Sequence, residues 1–261
     1  MIYTPLIQKA IRFSIKTHEV YQHQKRKGKD IPYITHPLSV GLILALSGAG
    51  EEVIAAGILH DTIEDSIAEK KVTTEMLTER FGKQVAALVA SVSEFHKDQP
   101  WEVRKREALE HIQTFSHESL LLKSVDILSN ASELLDDHER IGDTVFDRFN
   151  APKEKILKNY LVTITAIVTR WPESPLADDL LSLATNLQML GAMYFMMNFS
   201  SLKIEYSDYD ENAVLECPVC NWKGVPKEIN TMEYYDDLFD VSCPNCDKML
   251  LVVSYPLVEK G

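Results

Sequence analysis

Cysteine is scarce, basic charge is outnumbered, and no apolar run approaches the thickness of a bilayer. The 261 residues include 4 cysteines, too few for a disulfide framework in a chain this long. They fall as two Cys-x-x-Cys pairs, Cys217/Cys220 and Cys243/Cys246, a spacing that suits metal ligation instead. Lys and Arg number 27 against 39 Asp and Glu, a net charge of −12. That balance argues against a general nucleic-acid or anionic-membrane surface, because phosphate binding needs clustered Lys and Arg. The Met-rich stretch from Met189 to Phe199 is too short to span a membrane. Met1 to Pro5 shows no basic segment leading into an apolar core. The expectation is a cytoplasmic protein with no membrane association and no nucleic-acid partner.

What is present concentrates in Gly57-Ile58-Leu59-His60-Asp61-Thr62-Ile63-Glu64-Asp65. Apolar residues before it recur at helical spacing, so the segment from Glu51 to Ser66 reads as one helix. On such a helix Glu64 lies above His60 and Asp61, and Asp65 above Asp61. A solvated helix end is the plain alternative. A histidine beside an aspartate after the run Ala55-Ala56-Gly57-Ile58-Leu59 needs a partner, however, and a divalent cation is the simplest one.

Upstream, Thr4 and Pro5 suit a helix start, and Leu6, Ile7, Ala10, Ile11 and Ile15 supply an apolar face as far as about Tyr21. A basic loop with Lys25, Arg26, Lys27 and Lys29 then precedes Pro32-Tyr33-Ile34-Thr35-His36-Pro37. A charge run is ordinarily a solvated face. If His36 joins the metal cluster, Arg26 and Lys27 stand close enough to hold phosphate oxygens. Helices are expected from His36 to Leu46, from Thr73 to Phe81, from Lys83 to about Phe95, and from Pro100 to about Phe115. Further along, Asp126 sits within the apolar run Leu120 to Leu128, with Asn130 four residues on and on the same helical face. An unpaired carboxylate there is costly to bury, which makes Asp126 a natural fourth ligand.

The order His36, His60-Asp61, Asp126 resembles the pattern of the HD-domain metal-dependent phosphohydrolases. Arg26-Lys27 ahead of Pro32 to Pro37, Leu59 to Asp65, and Phe81 to Val89 are similar to the hydrolase domain of the RelA/SpoT alarmone enzymes, in a small stand-alone form. The resemblance covers roughly residues 1 to 170. It implies Mn²⁺-dependent removal of the 3′-pyrophosphate from (p)ppGpp. His36, His60, Asp61 and Asp126 would be metal ligands, Glu64 and Asp65 the water-activating pair, Arg26 and Lys27 the pyrophosphate contacts, and Asn130 part of the nucleotide wall. The chain departs from the family at Ile127, Ser129 and Ser132, where the pattern has a basic residue, a histidine and an arginine. Another nucleotide (an adenine alarmone, a nucleoside phosphate, NADPH) and a non-catalytic nucleotide sensor are the alternatives.

The C-terminal part changes character. Helices are expected from Pro152 to Arg170 and from Leu176 to Asn198; the second carries Met189, Met193, Met196 and Met197, as core filler or a homo-oligomer contact. Lys203 to Tyr206, Ala213 to Glu216 and Leu250 to Tyr255 alternate like strands around the two knuckles. Cys217, Cys220, Cys243 and Cys246 form the specific signature of a structural Zn²⁺ site in a zinc ribbon. Glu233, Asp236, Asp237 and Asp240 make the ribbon acidic, which favours a folding staple or a protein contact. The expected fold is mainly α: an HD domain over 1–175, an additional helix over 176–200, and a small β-rich ribbon over 201–261.

Overall fold

Thr4 caps the first helix as its place before Pro5 predicts, its hydroxyl accepting from the Ile7 N–H at 3.3 Å. The computed structural model describes residues 3–94, 99–198, 203–217, 220–229, 232–234, 238–246 and 249–255. Helix α1 (Pro5–Ile15) runs on as a π-helical turn (Lys16–Val20). That wider turn changes the phase that a regular helix to Tyr21 would keep, and it carries His18 inside.

Helices α2 (Thr35–Leu46) and α3 (Glu51–Leu59) follow. Every residue of α3 from Val53 to Leu59 is buried, because α1, α2, α6 and α8 surround it. The single helix expected from Glu51 to Ser66 is broken. Helix α3 stops at Leu59, and a separate turn, α4 (Thr62–Asp65), begins after Asp61. Side chains supply the reason: His60 Nδ1 donates to the Gly57 carbonyl at 2.7 Å and Thr62 Oγ1 to the Leu59 carbonyl at 2.7 Å. Both compete with the helical ladder where it would continue. The expected stacking of Glu64 over His60 is therefore lost, and the break turns His60 and Asp61 toward a common point.

Helices α5 (Thr74–Phe81) and α6 (Lys83–Val92) form a hairpin through Gly82, whose φ of 90° suits glycine. The cap at Thr73 matches expectation, with Oγ1 accepting from Met76 N at 3.3 Å. Helix α6 ends before the expected Phe95, which lies outside the described residues. Helix α7 (Trp101–Ile112) leads to α8 (His117–Ile141), the 25-residue spine of the fold. A 3₁₀ segment (Gly142–Arg148), α9 (Lys153–Arg170) and α10 (Ala177–Asn198) complete the helical part. Among the described residues no helix is long and apolar enough to cross a membrane.

Two glycines let α2 and α3 meet closely. A Cβ at Gly57 would lie 2.3 Å from Leu44 Cδ1, and one at Gly41 would lie 2.6 Å from Ile58 Cγ1. Gly57→Ala should therefore destabilise the helical unit by about 1–3 kcal/mol, the usual cost of overpacking a close-packed core. Urea unfolding followed at 222 nm checks this; an unchanged midpoint would mean that the interhelical contact yields.

The chain divides into two units, Met1–Met189 and Leu190–Gly261, with the division inside α10. Met189 is exposed, so it is no core filler; the side chains of Met193, Met196 and Met197 lie outside the described residues. In the second unit β1 (Lys203–Glu205), β4 (Met232–Tyr234), β5 (Leu238–Ser242) and β6 (Met249–Ser254) make one sheet in the order β1-β6-β5-β4. The β1/β6 pair is parallel, and the β4/β5 and β5/β6 pairs are antiparallel. Strands β2 (Leu215–Glu216) and β3 (Lys223–Gly224) pair separately across the first knuckle. Ile229, Phe239, Val241, Leu251 and Val253 form the small core. Asp240 is buried within β5, which removes it from the acidic surface expected between the knuckles.

Candidate active site

Four side chains from two helices and one break converge. His36 comes from the first turn of α2, His60 and Asp61 from the break after α3, and Asp126 from the middle of α8. His36 Nε2 lies 3.2 Å from His60 Nε2 and 3.3 Å from Asp126 Oδ1. Asp61 Oδ2 is 3.0 Å from His60 Nε2 and 3.7 Å from His36 Nε2. His36, His60 and Asp126 each offer an atom within 4.8 Å of the others.

Tautomers follow from the outer partners. The Gly57 carbonyl can only accept, so His60 Nδ1 carries a proton and Nε2 faces the cluster. His36 Nδ1 meets Ser129 Oγ at 3.0 Å, leaving its Nε2 inward. Two imidazole nitrogens this close cannot both present lone pairs without positive charge beside them. Burial disfavours a charged His60, yet Asp61 and Asp126 overcome it and hold that imidazole well above its usual range. Burial likewise works against the Asp126 carboxylate, but Lys123 and the two histidines keep it well below the usual carboxylate range. The site thus prefers a cation at its centre, and two imidazoles with two carboxylates suit a divalent ion of the first transition series.

Binding such an ion requires His60 to give up its proton. Affinity for a divalent cation should therefore rise with pH as that imidazole loses its Nε2 proton, with proton release on binding. Calorimetry in buffers of different ionisation enthalpy reads both; a pH-independent affinity with no proton release would contradict this arrangement.

The carboxylates of the cluster are braced. Tyr33 Oη donates to Asp61 Oδ2 at 2.5 Å, and burial together with Asp61 raises its pKa well above the ordinary phenol, so it stays a donor. Asn130 Nδ2 donates to Asp126 Oδ1 at 2.7 Å and Lys123 Nζ to Asp126 Oδ2 at 2.9 Å. Lys123, Asp126, Asn130, Glu133 and Asp137 recur every three or four residues and make a polar stripe along α8. The basic loop docks on that stripe. Arg26 donates to Glu133 Oε2 at 2.7 Å and to Asn130 Oδ1 at 2.8 Å. Lys29 pairs with both Glu133 and Asp137, and Arg148 with Asp137 at 2.8 Å.

The structure thus sets the two members of the basic pair apart. Arg26 is engaged by Glu133, with its side chain 12% exposed. Lys27 is exposed and, among the described residues, has no ion-pairing acid; burial of its amine and the nearby Arg148 lower its pKa. Glu64 and Asp65 lie in α4 beside the cluster. Glu64 Oε1 accepts from Glu94 N at 2.7 Å, and Asp65 Oδ2 accepts from Gln24 Nε2 at 2.9 Å.

Two depressions share Asn130, Phe149 and Tyr160 in their walls, and the first reaches the cluster at Asp126. One, of about 210 Å³, is lined by Trp101, Lys105, Lys123, Asp126, Asn130 and Tyr160. The other, of about 480 Å³, is lined by Lys25, Arg26, Lys27, Arg148, Phe149 and Tyr160. Burial pushes the Tyr160 phenol up to about 12, which keeps it a neutral donor between them. A larger groove of about 640 Å³ also touches His36, and neither Lys nor Arg lines it. Sequence reasoning missed Tyr33, Lys123, Ser129, Glu133, Arg148 and Tyr160. The three- and four-residue recurrence of polar residues on α8 was the available signal for Lys123 and Glu133.

A second centre lies in the ribbon. Cys217 Sγ is 3.6 Å from Cys246 Sγ, Cys220 Sγ 3.5 Å from Cys243 Sγ, and Cys246 Sγ 3.6 Å from Cys220 Sγ. These separations are far longer than a disulfide and close to the edge of about 3.8 Å for a tetrahedron with metal–sulfur bonds of about 2.3 Å. Cys217 N donates to the Trp222 carbonyl at 2.8 Å, and Asn221 adopts a φ of 58°, which fold the first knuckle around its thiols. Gly224 is needed beside it, since a Cβ there would meet the Trp222 ring at 2.3 Å.

Comparisons with known proteins agree with this geometry. A family model described as HD domain matches residues 10–131. A zebrafish (Danio rerio) guanosine-3′,5′-bis(diphosphate) 3′-pyrophosphohydrolase, MESH1, is 35% identical over 133 residues, 50% of this chain and 70% of the relative. A GTP pyrophosphokinase of Myxococcus xanthus is 46% identical over 92 residues, 35% of this chain and 11% of the relative. The structure of a metazoan SpoT orthologue, described as hydrolysing ppGpp, superposes with a TM-score of 0.55 at 21% identity over 73% of this chain and 96% of that one, a likeness of fold. That of lmo0812 from Listeria monocytogenes gives 0.53 at 29% identity over 59% of this chain and 97% of that one. With an HD-type ligand cluster in place and a relative of this identity covered over most of its length, the chain belongs to the HD-domain family of metal-dependent hydrolases, in its RelA/SpoT branch.

Proposed function

We propose that this protein removes the 3′-pyrophosphate of a guanosine alarmone, converting (p)ppGpp to GDP or GTP and pyrophosphate. The observation that carries the reading is the His36/His60/Asp61/Asp126 cluster, which reaches at Asp126 a depression lined by Lys105 and Lys123, with a second depression lined by Arg26, Lys27 and Arg148 sharing its Asn130 and Tyr160 wall. A polyphosphate needs that charge, and the chain as a whole, at −12, does not otherwise offer it. The activity for which the zebrafish relative is named supports the same substrate class.

In this reading Mn²⁺ would be held by His36, His60, Asp61 and Asp126, and Zn²⁺ by the four thiolates of the ribbon. A divalent cation held at the first site would lower the pKa of a bound water and offset charge on the phosphoryl group. Glu64, held by the Glu94 N–H, accepts the proton of the attacking water. The water oxygen bonds to the phosphorus on the ribose 3′-oxygen, that P–O bond breaks, and the 3′-oxygen takes up a proton. Lys27 and Arg148 bind phosphate oxygens, Arg26 fixes Asn130 and Glu133 on the wall of the site, and Trp101, Phe149 and Tyr160 offer faces for the base. The ribbon's four thiolates leave no open position for chemistry, so its metal is a folding staple. The reading places the protein in the cytoplasm.

Glu64→Gln tests the mechanism. The amide keeps the acceptor for Glu94 N–H but cannot take a proton at neutral pH, so kcat should fall about 100-fold or more, the usual span of a general base, with Mn²⁺ affinity unchanged. Wild-type turnover by the metal-loaded variant would remove Glu64 from the chemistry.

A further inference from the structure

Gln24 is tied at every polar group it has. Its backbone N–H donates to the His18 carbonyl at 2.8 Å, and its carbonyl accepts from Tyr33 N at 2.8 Å. Its side-chain Oε1 lies 2.8 Å from His18 Nδ1 and accepts from Gln22 Nε2 at 2.9 Å, while Nε2 donates to Asp65 Oδ2 at 2.9 Å. The direction of the amide is set by its neighbours: the end facing the Asp65 carboxylate must be the donor, which leaves Oε1 for His18 and Gln22. Gln22 Nε2 also donates to the Asp65 backbone carbonyl at 2.8 Å, so Asp65 is gripped at side chain and main chain.

The platform beneath is buried. His18 sits in the π-helical turn, fully inside, with its ring centroid 5.1 Å from that of Tyr33. Among the described residues its buried Nε2 has no hydrogen-bond partner. Burial keeps its pKa low, so the ring is neutral and Nδ1–H donates to Gln24. The extra residue of the π turn brings this histidine under the loop, a local irregularity of the kind that often marks a functional position. Through its backbone Gln24 also holds Tyr33, whose hydroxyl braces Asp61.

We propose that Gln24 is a positioning residue for the acid pair, fixing the Asp65 carboxylate beside the metal cluster, with His18 as its buried anchor. This rests on the reading of Asp65 as part of the catalytic machinery. Gln24 touches no metal ligand side chain and stands behind Asp65, so it acts through that residue.

The experiment compares Gln24→Leu, which keeps volume, and Gln24→Glu, which sets a carboxylate against Asp65, with Asp65→Asn, in the full-length chain loaded with Mn²⁺. Turnover of ppGpp, Mn²⁺ affinity by electron paramagnetic resonance, melting temperature and crystal structures are read together. Expected is a fall in kcat of about 10–100-fold for both Gln24 variants, the scale of misplacing a group by about an ångström. KM and Mn²⁺ affinity stay within about twofold, and in the crystal Asp65 leaves its position. Adding Gln24→Leu to Asp65→Asn then costs nothing more, because the two act as one unit. A merely structural role would lower the melting temperature and leave kcat and the Asp65 side chain alone, and that outcome overturns the proposal. An inactive Asp65→Asn beside a fully active Gln24→Leu overturns positioning and keeps the role of Asp65. A fully active Asp65→Asn removes that role, and the positioning claim with it. If ppGpp is not turned over at all, the crystal decides: Asp65 displaced in Gln24→Leu supports the proposal, and Asp65 unmoved overturns it.

Discussion

Asp61→Ala should abolish metal-dependent turnover while leaving the helical unit folded. Asp61 lies at the end of a buried helix, with its carboxylate 3.0 Å from His60 Nε2 and held by Tyr33 at 2.5 Å. Its charge is among those that stabilise positive charge on His60 and hence at the centre. Burial disfavours the carboxylate, but His60 and His36 hold its pKa far below the ordinary range, so it is ionised at any pH where the protein works. Loss of an outer-shell partner alone typically costs 10–100-fold in metal affinity or activity, so loss of the ligand should cost more than about 100-fold in both. Helical ellipticity should survive, because the side chain faces the cluster and contributes nothing to the packing of α3. Calorimetric Mn²⁺ titration and turnover check the two halves separately; a variant that binds and turns over like wild type would show that Asp61 is not a ligand.

The second large effect belongs to the ribbon. Cys217 and Cys243 are buried, and with Leu250 they make a cluster against which Leu215 and Trp222 pack. Among the described residues its other core has five buried residues, few for a unit of this size without a staple. Cys243→Ser should remove one metal ion per chain and unfold the sheet, since structural zinc in such sites supplies about 10–16 kcal/mol of apparent folding free energy. Metal analysis after dialysis should show the loss, and protease should cut after Leu190 while the helical unit resists. Retention of both the metal and protection would mean that the four thiols do not form one site.

Much of this was legible because local rules and global fold agree. Thr4 and Thr73 cap as their positions before Pro5 and Glu75 predict. His60, Asp61 and Asp126 could be picked out because charged groups embedded in apolar helical runs need a partner, and His36 through the family resemblance. The break at His60-Asp61 was hidden, since Thr62 and His60 interrupt the ladder through side-chain bonds that hydrophobic periodicity does not register. Arg26 looked like a phosphate contact from its place in the chain, yet its partner Glu133 is 107 residues away. Ser129 read as a loss from the family pattern; in space its hydroxyl meets the ring of His36. Strands β4 and β5 were missed because acidic residues between the knuckles resembled a solvated loop, while pairing across β6 buries Asp240.

The most direct measurement is product identification. Metal-loaded protein would be incubated with ppGpp, pppGpp, ppApp and NADPH, and the products separated by anion-exchange chromatography, with Asp61→Ala as control. The account predicts pyrophosphate with GDP from ppGpp and with GTP from pppGpp, both lost in the variant. Turnover of NADPH alone, or of no compound while the site is shown to hold its metal, would contradict it.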